Sequence, residues 1–116
     1  DILIVDDIIS SGETILEVAI KMKQLGAKRI FIAVTFGLFT EGIEKYNEAY
    51  NQGLFEAVFI TNATWTSEEL RKAPWYHEVD ISKYLAYYIY CINTRKSISS
   101  ILDPHHKIQN LLNSNN

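Results

Sequence analysis

The residues most capable of chemistry lie near the beginning of the sequence. Asp6 and Asp7 are adjacent carboxylates, and the small polar run Ser10-Ser11-Gly12-Glu13-Thr14 follows them after two apolar residues. Hydroxyls and backbone N–H groups around a glycine can hold a phosphate monoester, because glycine lets the backbone approach a ligand closely. Two carboxylates repel a phosphate but suit sugar hydroxyls or a hydrated Mg²⁺. A phosphate at one end and a diol at the other describe a ribose 5-phosphate.

The same residues also permit a purely structural interpretation. In that interpretation Asp6 and Asp7 merely end a strand, and Ser11 caps the helix that follows. A lone acidic pair would favour this structural interpretation, since short motifs often match by chance. The full run Ile2–Thr14 restricts many more positions and therefore favours a ligand site.

Strand, acidic pair, loop and helix follow one another in this opening segment. Ile2–Val5 is a continuous apolar run with three β-branched residues, which predicts a strand buried on both faces of a parallel sheet and ending at Asp6. Apolar residues at helical spacing predict a helix over Glu13–Leu25, terminated by Gly26. In an open α/β sheet, ligands bind at such a junction. The free N–H groups of Ser11–Thr14 at the helix start favour an anion there.

Strand and helix patterns alternate through the rest of the chain. Further strands are predicted over Ile30–Val34, Ala57–Ile60 and Val79–Ile81, with Ile98–Leu102 extended. Helices are predicted over Glu41–Gln52, from a Thr66 cap to before Pro74, from a Ser82 cap to Thr94, and over Pro104–Leu112. This alternation predicts an α/β fold with a parallel sheet flanked by helices and right-handed crossovers. We predict one domain over residues 1–112 and a disordered tail over residues 113–116.

Several side chains are predicted to serve packing alone. Trp65 and Trp75 flank the short third helix as packing anchors, and Cys91 lies in an apolar helical pattern. In the fourth helix, the residues predicted to face inward are Leu85, Tyr88, Ile89 and Ile92. The histidines His77, His105 and His106 have no spacing that fits a compact metal site, so no metal ligands are predicted among them.

The composition narrows the classes of function. The chain has 116 residues, of which 47% are hydrophobic and 22% charged, and its net charge is −3. This charge gives no support for binding to nucleic acid or to a membrane, and no apolar run approaches the ~20 residues of a membrane-spanning helix. A single cysteine excludes an internal disulfide and suits a reducing cytoplasm.

The run Ile2–Thr14, ILIVDDIISSGET, resembles the signature of the type I phosphoribosyltransferase superfamily. In that superfamily the loop binds a 5-phosphate and the acidic pair lies beside the ribose hydroxyls. The resemblance implies that the loop Ser10–Thr14 forms the phosphate cradle, with Glu13 using its backbone. It also implies that Asp6 and Asp7 hold the 2- and 3-hydroxyls, in a phosphoribosyltransferase-like fold.

Later segments resemble the C-terminal part of ribose-phosphate pyrophosphokinases, over roughly Asp1–Leu102. The similar segments are Gly26–Arg29, Thr35, Gly37–Phe39, Ile43-Glu44, Phe55–Val58, Thr61-Asn62, Val79–Ser82 and Ser97–Ser100. This resemblance implies an enzyme that transfers a diphosphate from ATP to ribose 5-phosphate, making PRPP for nucleotide biosynthesis. It implies Mg²⁺ as cofactor with ligands mostly upstream, no catalytic residue within this segment, and a homo-oligomer.

Three positions depart from the family pattern. Ser10 stands where many members have Asp, Glu13 where many have Gly, and Phe36 where the family usually has His. These departures leave open a non-catalytic regulatory paralogue of the synthetase. A second alternative is a phosphoribosyltransferase that uses the same loop on PRPP, although the later segments argue against it. Because Asp1 leads directly into a strand, we expect this chain to be part of a longer protein, and to bind ribose 5-phosphate weakly and catalyse nothing alone.

Overall fold

The computed structural model describes residues 1–99 and 104–114. The chain divides into two compact units, Asp1–Asp80 and the residues from Ile81 onward. The first unit contains a four-stranded sheet with three helices, and the described part of the second contains two helices. Within the described residues, no helix is both long enough and apolar enough to cross a membrane.

The sheet of the first unit is parallel throughout. Its strands have the order β1-β2-β3-β4 and span Ile2–Ile9, Ile30–Gly37, Ala57–Thr61 and Tyr76–Val79. Helices α1, α2 and α3 connect successive strands and span Glu13–Gln24, Glu44–Asn51 and Glu68–Lys72. This arrangement confirms the predicted α/β class with a parallel sheet flanked by helices.

The core lies between the sheet and these three helices. Right-handed crossovers between neighbouring parallel strands place successive helices on the same face of a sheet. The strands contribute the buried residues Ile30, Ile32, Val34, Val58 and Ile60. The helices contribute Ile15, Ala19, Tyr46, Ala49 and Leu70 to the same cluster. The carboxyl ends of the strands therefore lead into loops that are anchored by one continuous core.

Strand β1 differs from its prediction in both length and burial. It continues through the acidic pair to Ile9, and it lies at the edge of the sheet, where it pairs with β2 alone among the described strands. The side chains of Leu3 and Val5 are 58% and 72% exposed. The prediction of a strand buried on both faces and ending at Asp6 is wrong, because an apolar run indicates a buried strand without supplying the second covering layer.

Other boundaries shift where local signals compete. β2 extends through Gly37, so the segment after Val34 continues the strand before it becomes a loop. β4 is Tyr76–Val79 rather than Val79–Ile81, because α3 ends at Lys72 and the chain pairs with β3 soon afterwards. The cap of α3 is Ser67 and not Thr66.

The two tryptophans beside α3 have opposite environments. Trp75 is fully buried, and its Nε1 donates a hydrogen bond to Asn47 Oδ1 at 2.8 Å. Trp65 is 84% exposed. The prediction of a packing anchor is therefore confirmed for Trp75 and wrong for Trp65, since the loop that follows β3 turns its indole to solvent.

The second unit contains α4, Ser82–Asn93, and α5, His105–Ser114. Cys91 is fully buried, as predicted, and Tyr88 is partly buried. The other side chains predicted to face inward are half or more exposed: Leu85 50%, Ile89 61% and Ile92 71%. Helical periodicity identifies an apolar stripe but does not provide the surface that would cover it.

The ends of these helices also differ from the sequence patterns. The residue at the α4 N-cap is Ile81, with no side-chain capping bond, so the prediction that Ser82 caps the helix is wrong. α5 continues through Ser114, two residues into the predicted disordered tail. The predicted extended segment Ile98–Leu102 falls largely outside the described residues.

Candidate anion-binding site at the start of helix α1

The turn between β1 and α1 is built around Gly12. Ile9 is buried at the end of β1, and Gly12 occupies the N-cap of α1 with φ of 84°, a left-handed conformation that glycine adopts without strain. The first hydrogen bond of the helix runs from the Leu16 N–H to the Gly12 carbonyl at 3.3 Å. The turn therefore connects the end of β1 directly to the start of α1.

The start of α1 is uncapped. No side chain accepts a hydrogen bond at its N-terminus, so Ser11 does not cap the helix. The N–H groups of the segment Ser11–Thr14 have no acceptor among the described residues. Unpaired donors at the positive end of a helix dipole are a favourable environment for an anion. The structure thus places the predicted cradle residues together at one helix terminus.

Tyr46 of α2 contacts this turn and supports it. Its hydroxyl donates a hydrogen bond to the Gly12 carbonyl at 3.3 Å, and a Cβ built on Gly12 would lie 2.3 Å from Tyr46 Cε2. The ring packs against Phe39, Phe55 and Trp75, with centroids 5.1, 5.9 and 5.4 Å away. Burial raises the pKa of the Tyr46 phenol. The buried ring of Tyr46 therefore explains why position 12 must be glycine.

The loop after β2 fixes the other side of the turn. The Leu38 N–H donates to the Ile9 carbonyl at 2.8 Å, and the Thr40 N–H donates to the Ser10 carbonyl at 3.0 Å. These bonds hold the first polar residue of the cradle by its backbone and leave its exposed side chain in solvent.

The acidic pair lies within β1, ahead of the turn. Asp6 and Asp7 are both exposed, and the Asp7 N–H donates to Asp6 Oδ1 at 2.8 Å. Exposed carboxylates are able to accept hydrogen bonds from hydroxyls of a ligand. Their assignment to the 2- and 3-hydroxyls stays a prediction.

An ion-pair network flanks the uncapped helix start. Lys45 Nζ lies 2.6 Å from Glu13 Oε1 and 2.9 Å from Glu41 Oε2. The hydrogen bond and charge of Lys45 lower the pKa of the Glu13 carboxyl, and the two carboxylates raise the pKa of the Lys45 ammonium. Sequence analysis missed Lys45, because the residues that it pairs lie on different elements and share no local motif.

The neighbouring strand ends contribute further groups to the same edge. Thr61 Oγ1 donates to the Thr35 carbonyl at 2.7 Å, and Asn62 Nδ2 donates to Asp80 Oδ1 at 2.8 Å. Phe36, in register with Ile8, is 40% exposed. The Phe36 departure noted in the sequence analysis thus places an aromatic ring at this edge.

Within the described residues, no group of three or more His, Cys, Asp or Glu side chains is arranged to hold a metal ion. His77 stacks on Phe59 with ring centroids 5.2 Å apart. Asp6 and Asp7 are adjacent carboxylates that suit the water shell of a Mg²⁺ ion, but they do not by themselves form a three-ligand site.

A match to a known protein family establishes the family of this chain. Residues 2–103 match the model of a family described as the phosphoribosyl synthetase-associated domain. The chain belongs to that family. The matched residues of this phosphoribosyl synthetase-associated domain include the acidic pair, the turn and the start of α1.

Relatives of this domain carry a consistent name. It is 29% identical over 104 residues to a ribose-phosphate pyrophosphokinase of Mycoplasma pneumoniae, an alignment that covers 89% of this chain and 31% of the relative. It is 49% identical over 53 residues to the enzyme of that name from Pyrococcus abyssi, covering 45% of this chain and 19% of the relative. The chain therefore spans a third or less of the length of these proteins.

A solved structure shares the fold. The phosphoribosylpyrophosphate synthetase of Mycobacterium smegmatis superimposes with a TM-score of 0.68 and 24% identity, covering 80% of this chain and 30% of that one. The predicted α/β fold, a parallel sheet flanked by helices, is therefore shared with part of this synthetase.

Proposed function

We propose that this chain is the ribose-5-phosphate-binding part of a ribose-phosphate diphosphokinase, which transfers a diphosphate from ATP to ribose 5-phosphate. The observation that carries the proposal is the uncapped start of α1, whose N–H groups from Ser11 to Thr14 have no acceptor among the described residues. This helix start lies within the sequence signature and within the family match.

In this proposal, one part of the site binds the charged phosphate and another part binds the hydroxyls of the sugar. The N–H groups at the start of α1 and the hydroxyls of Ser10, Ser11 and Thr14 bind the 5-phosphate. Asp6 and Asp7 precede them on β1 and bind the ribose hydroxyls, which donate hydrogen bonds to carboxylates. The chain's own residues thus bind and orient the acceptor sugar.

The transfer itself needs groups from outside this segment. Phosphoryl transfer depends on positioning and on neutralising the charge of the transferred group. We propose that Mg²⁺, ATP-binding residues and basic side chains from the rest of a longer protein supply this neutralisation. The described residues contain no cluster of three ligands for Mg²⁺, so the role of this chain in the proposal is to bind and orient the sugar.

A second candidate is a regulatory paralogue that keeps the fold without turnover. The observation that favours it is Phe36, whose partly exposed ring stands at the ligand edge in place of a polar side chain. In this candidate the sugar phosphate still binds but the complete protein makes no PRPP.

A ligand series tests the binding site. In the complete protein, amide chemical shifts are followed during titration with ribose 5-phosphate, ribose or inorganic phosphate. We expect the segment Ser11–Thr14 to respond to both phosphates and not to ribose. Asp6 and Asp7 should respond to ribose 5-phosphate. An unperturbed loop at saturating ribose 5-phosphate would reject the proposal.

A turnover assay then separates the candidate functions. The complete protein is incubated with ATP, Mg²⁺ and ribose 5-phosphate, and PRPP and AMP are quantified. Formation of both in equal amounts supports the diphosphokinase. Binding without turnover supports the regulatory paralogue, and consumption of PRPP with a nucleobase would support a phosphoribosyltransferase instead.

A further inference from the structure

Helix α2 meets the turn around Gly12 with two consecutive side chains. Tyr46 packs beneath Gly12 and donates a hydrogen bond to its carbonyl. Lys45, the preceding residue, pairs with Glu13, the residue after Gly12, at 2.6 Å. Because the tyrosine is buried and the lysine is half exposed, the same helix start supplies a rigid support and a solvent-facing cation.

The Lys45 ammonium lies where its positive charge can act on the Glu13 carboxylate at the start of α1. Glu13 is the first residue of α1, so its carboxylate lies near the N–H groups that the proposed phosphate would use. A carboxylate at a helix N-terminus is attracted to those donors and repels a second anion. Lys45 opposes both effects by pairing with Glu13, and Glu41 also pairs with the ammonium, at 2.9 Å.

We infer that Lys45 is a positioning residue for the phosphate site, acting through Glu13. It holds the Glu13 carboxylate in an ion pair and offsets part of its charge, which leaves the start of α1 open to a phosphate dianion. This inference rests on the proposed function, because it requires the phosphate to bind at the loop. It also accounts for the tolerance of an acidic residue inside the cradle.

A double-mutant cycle isolates this role. The complete protein and the variants Lys45→Gln, Glu13→Gln and Lys45→Gln/Glu13→Gln are titrated with ribose 5-phosphate by calorimetry, at low and at high salt. We expect Lys45→Gln to weaken binding roughly threefold to tenfold at low salt, the size typical of one charge acting at a helix terminus across water. When Glu13→Gln is already present, the same lysine change should weaken binding by less than about twofold, because the carboxylate through which it acts is gone.

Salt and charge provide two further readouts. Both side chains are about half exposed, so ions in solution screen their interaction. The loss caused by Lys45→Gln should therefore shrink at high salt. Glu13→Gln alone should bind slightly more tightly than the parent, by less than about tenfold, and this gain should also fade. Lys45→Arg should retain parent-like affinity, since it keeps the cation.

A matched control removes a different lysine from an ion pair. Lys72 pairs with Glu68 at 3.5 Å. Both residues belong to α3 and are far in sequence from the start of α1. Lys72→Gln changes the net charge by the same amount and should leave affinity for ribose 5-phosphate unchanged. Thermal melting of each variant verifies that the protein remains folded at the titration temperature.

The outcomes separate this inference from the proposed function. Equal losses from Lys45→Gln in the parent protein and in the Glu13→Gln variant would show direct contact with the phosphate and overturn the positioning role. Unchanged affinity in Lys45→Gln would overturn it as well. If the unmodified protein fails to bind ribose 5-phosphate at Ser11–Thr14, the proposed function itself fails and takes the inference with it.

Discussion

Two strand-to-helix junctions at the same edge of the sheet differ in how they satisfy the free N–H groups at the start of the helix. After β1, α1 begins behind Gly12 with no side-chain cap. After β3, α3 begins behind Ser67, whose Oγ accepts a hydrogen bond from the Leu70 N–H at 3.1 Å. Both helices follow parallel strands and both have an acidic residue in the first turn.

The difference concerns where the free donors of a helix are satisfied. A side-chain cap pairs one of them within the chain and stabilises the helix by about 1 kcal/mol. An uncapped start forgoes that stability but keeps every donor available to an external anion. Position at the carboxyl edge of a sheet is therefore insufficient to indicate a phosphate site, and the state of the cap has to be considered with it.

The largest expected effect comes from filling the glycine at the uncapped junction. Gly12→Ala adds a Cβ that would lie 2.3 Å from Tyr46 Cε2, at a φ of +84°. Gly26→Ala is the matched control, because Gly26 has a φ of +94° but no atom within 4 Å of an added Cβ.

Urea unfolding should separate backbone strain from the clash with Tyr46. We expect Gly26→Ala to lower the free energy of unfolding by about 1–2 kcal/mol through strain alone. Gly12→Ala should cost about 1–3 kcal/mol more because the packing with Tyr46 is disturbed. Equal losses would mean that Tyr46 moves aside freely and does not support the turn.

The next largest effect tests the acidic residue before the uncapped junction. Asp7→Ala in the complete protein should raise the Michaelis constant for ribose 5-phosphate far more than that for ATP. Losing a charged hydrogen bond costs about 1.5–3 kcal/mol, roughly tenfold to a hundredfold in binding. Glu68→Gln, at the capped junction, should change neither constant. Equal effects of Asp7→Ala on the two substrates would reject the diol role.

A pair of serine variants compares the junctions directly. Ser67→Ala should lower the free energy of unfolding by about 1 kcal/mol, because it removes the cap of α3, and should leave ribose 5-phosphate affinity unchanged. Ser11→Ala should leave stability nearly unchanged and weaken ribose 5-phosphate by roughly twofold to tenfold, the value of one hydrogen bond. Chemical denaturation and calorimetry measure the two properties. A large stability loss in Ser11→Ala would show that this serine acts as a cap.

The smallest effect concerns the hydroxyl beneath Gly12. Tyr46→Phe removes the 3.3 Å hydrogen bond to the Gly12 carbonyl but keeps the buried ring. The carbonyl also accepts from the Leu16 N–H, so it stays paired. We expect thermal and urea unfolding to show a loss of about 0.5–1 kcal/mol. A loss above about 2 kcal/mol would mean that the hydroxyl, rather than the ring, holds the turn.

Sequence analysis found the end of α1, which rests on a local interaction, but not the starts of α2, α3 and α4. Gly26 follows the end of α1, as the pattern predicted, and has a positive φ. It misplaced the α3 cap by one residue, because Thr66 and Ser67 are both competent caps and only the backbone path selects between them. It also assigned an inward face to α4 that is largely exposed.

The sequence by itself determined the alternation of strands and helices and the position of the polar turn. These features depend on residues within about one helical turn of each other, so composition and spacing report them directly. It also carried the family resemblance, since the run Ile2–Thr14 is continuous in the chain.

Only the tertiary structure decided which groups surround that turn. Lys45 and Tyr46 lie more than thirty residues beyond Glu13 and Gly12, with separations of 32 and 34. The β1–α1–β2–α2 crossover brings them together, and no periodicity within either segment encodes that meeting. The exposed outer face of β1 has the same origin, because burial depends on which other elements pack against a strand rather than on the strand's own apolar residues.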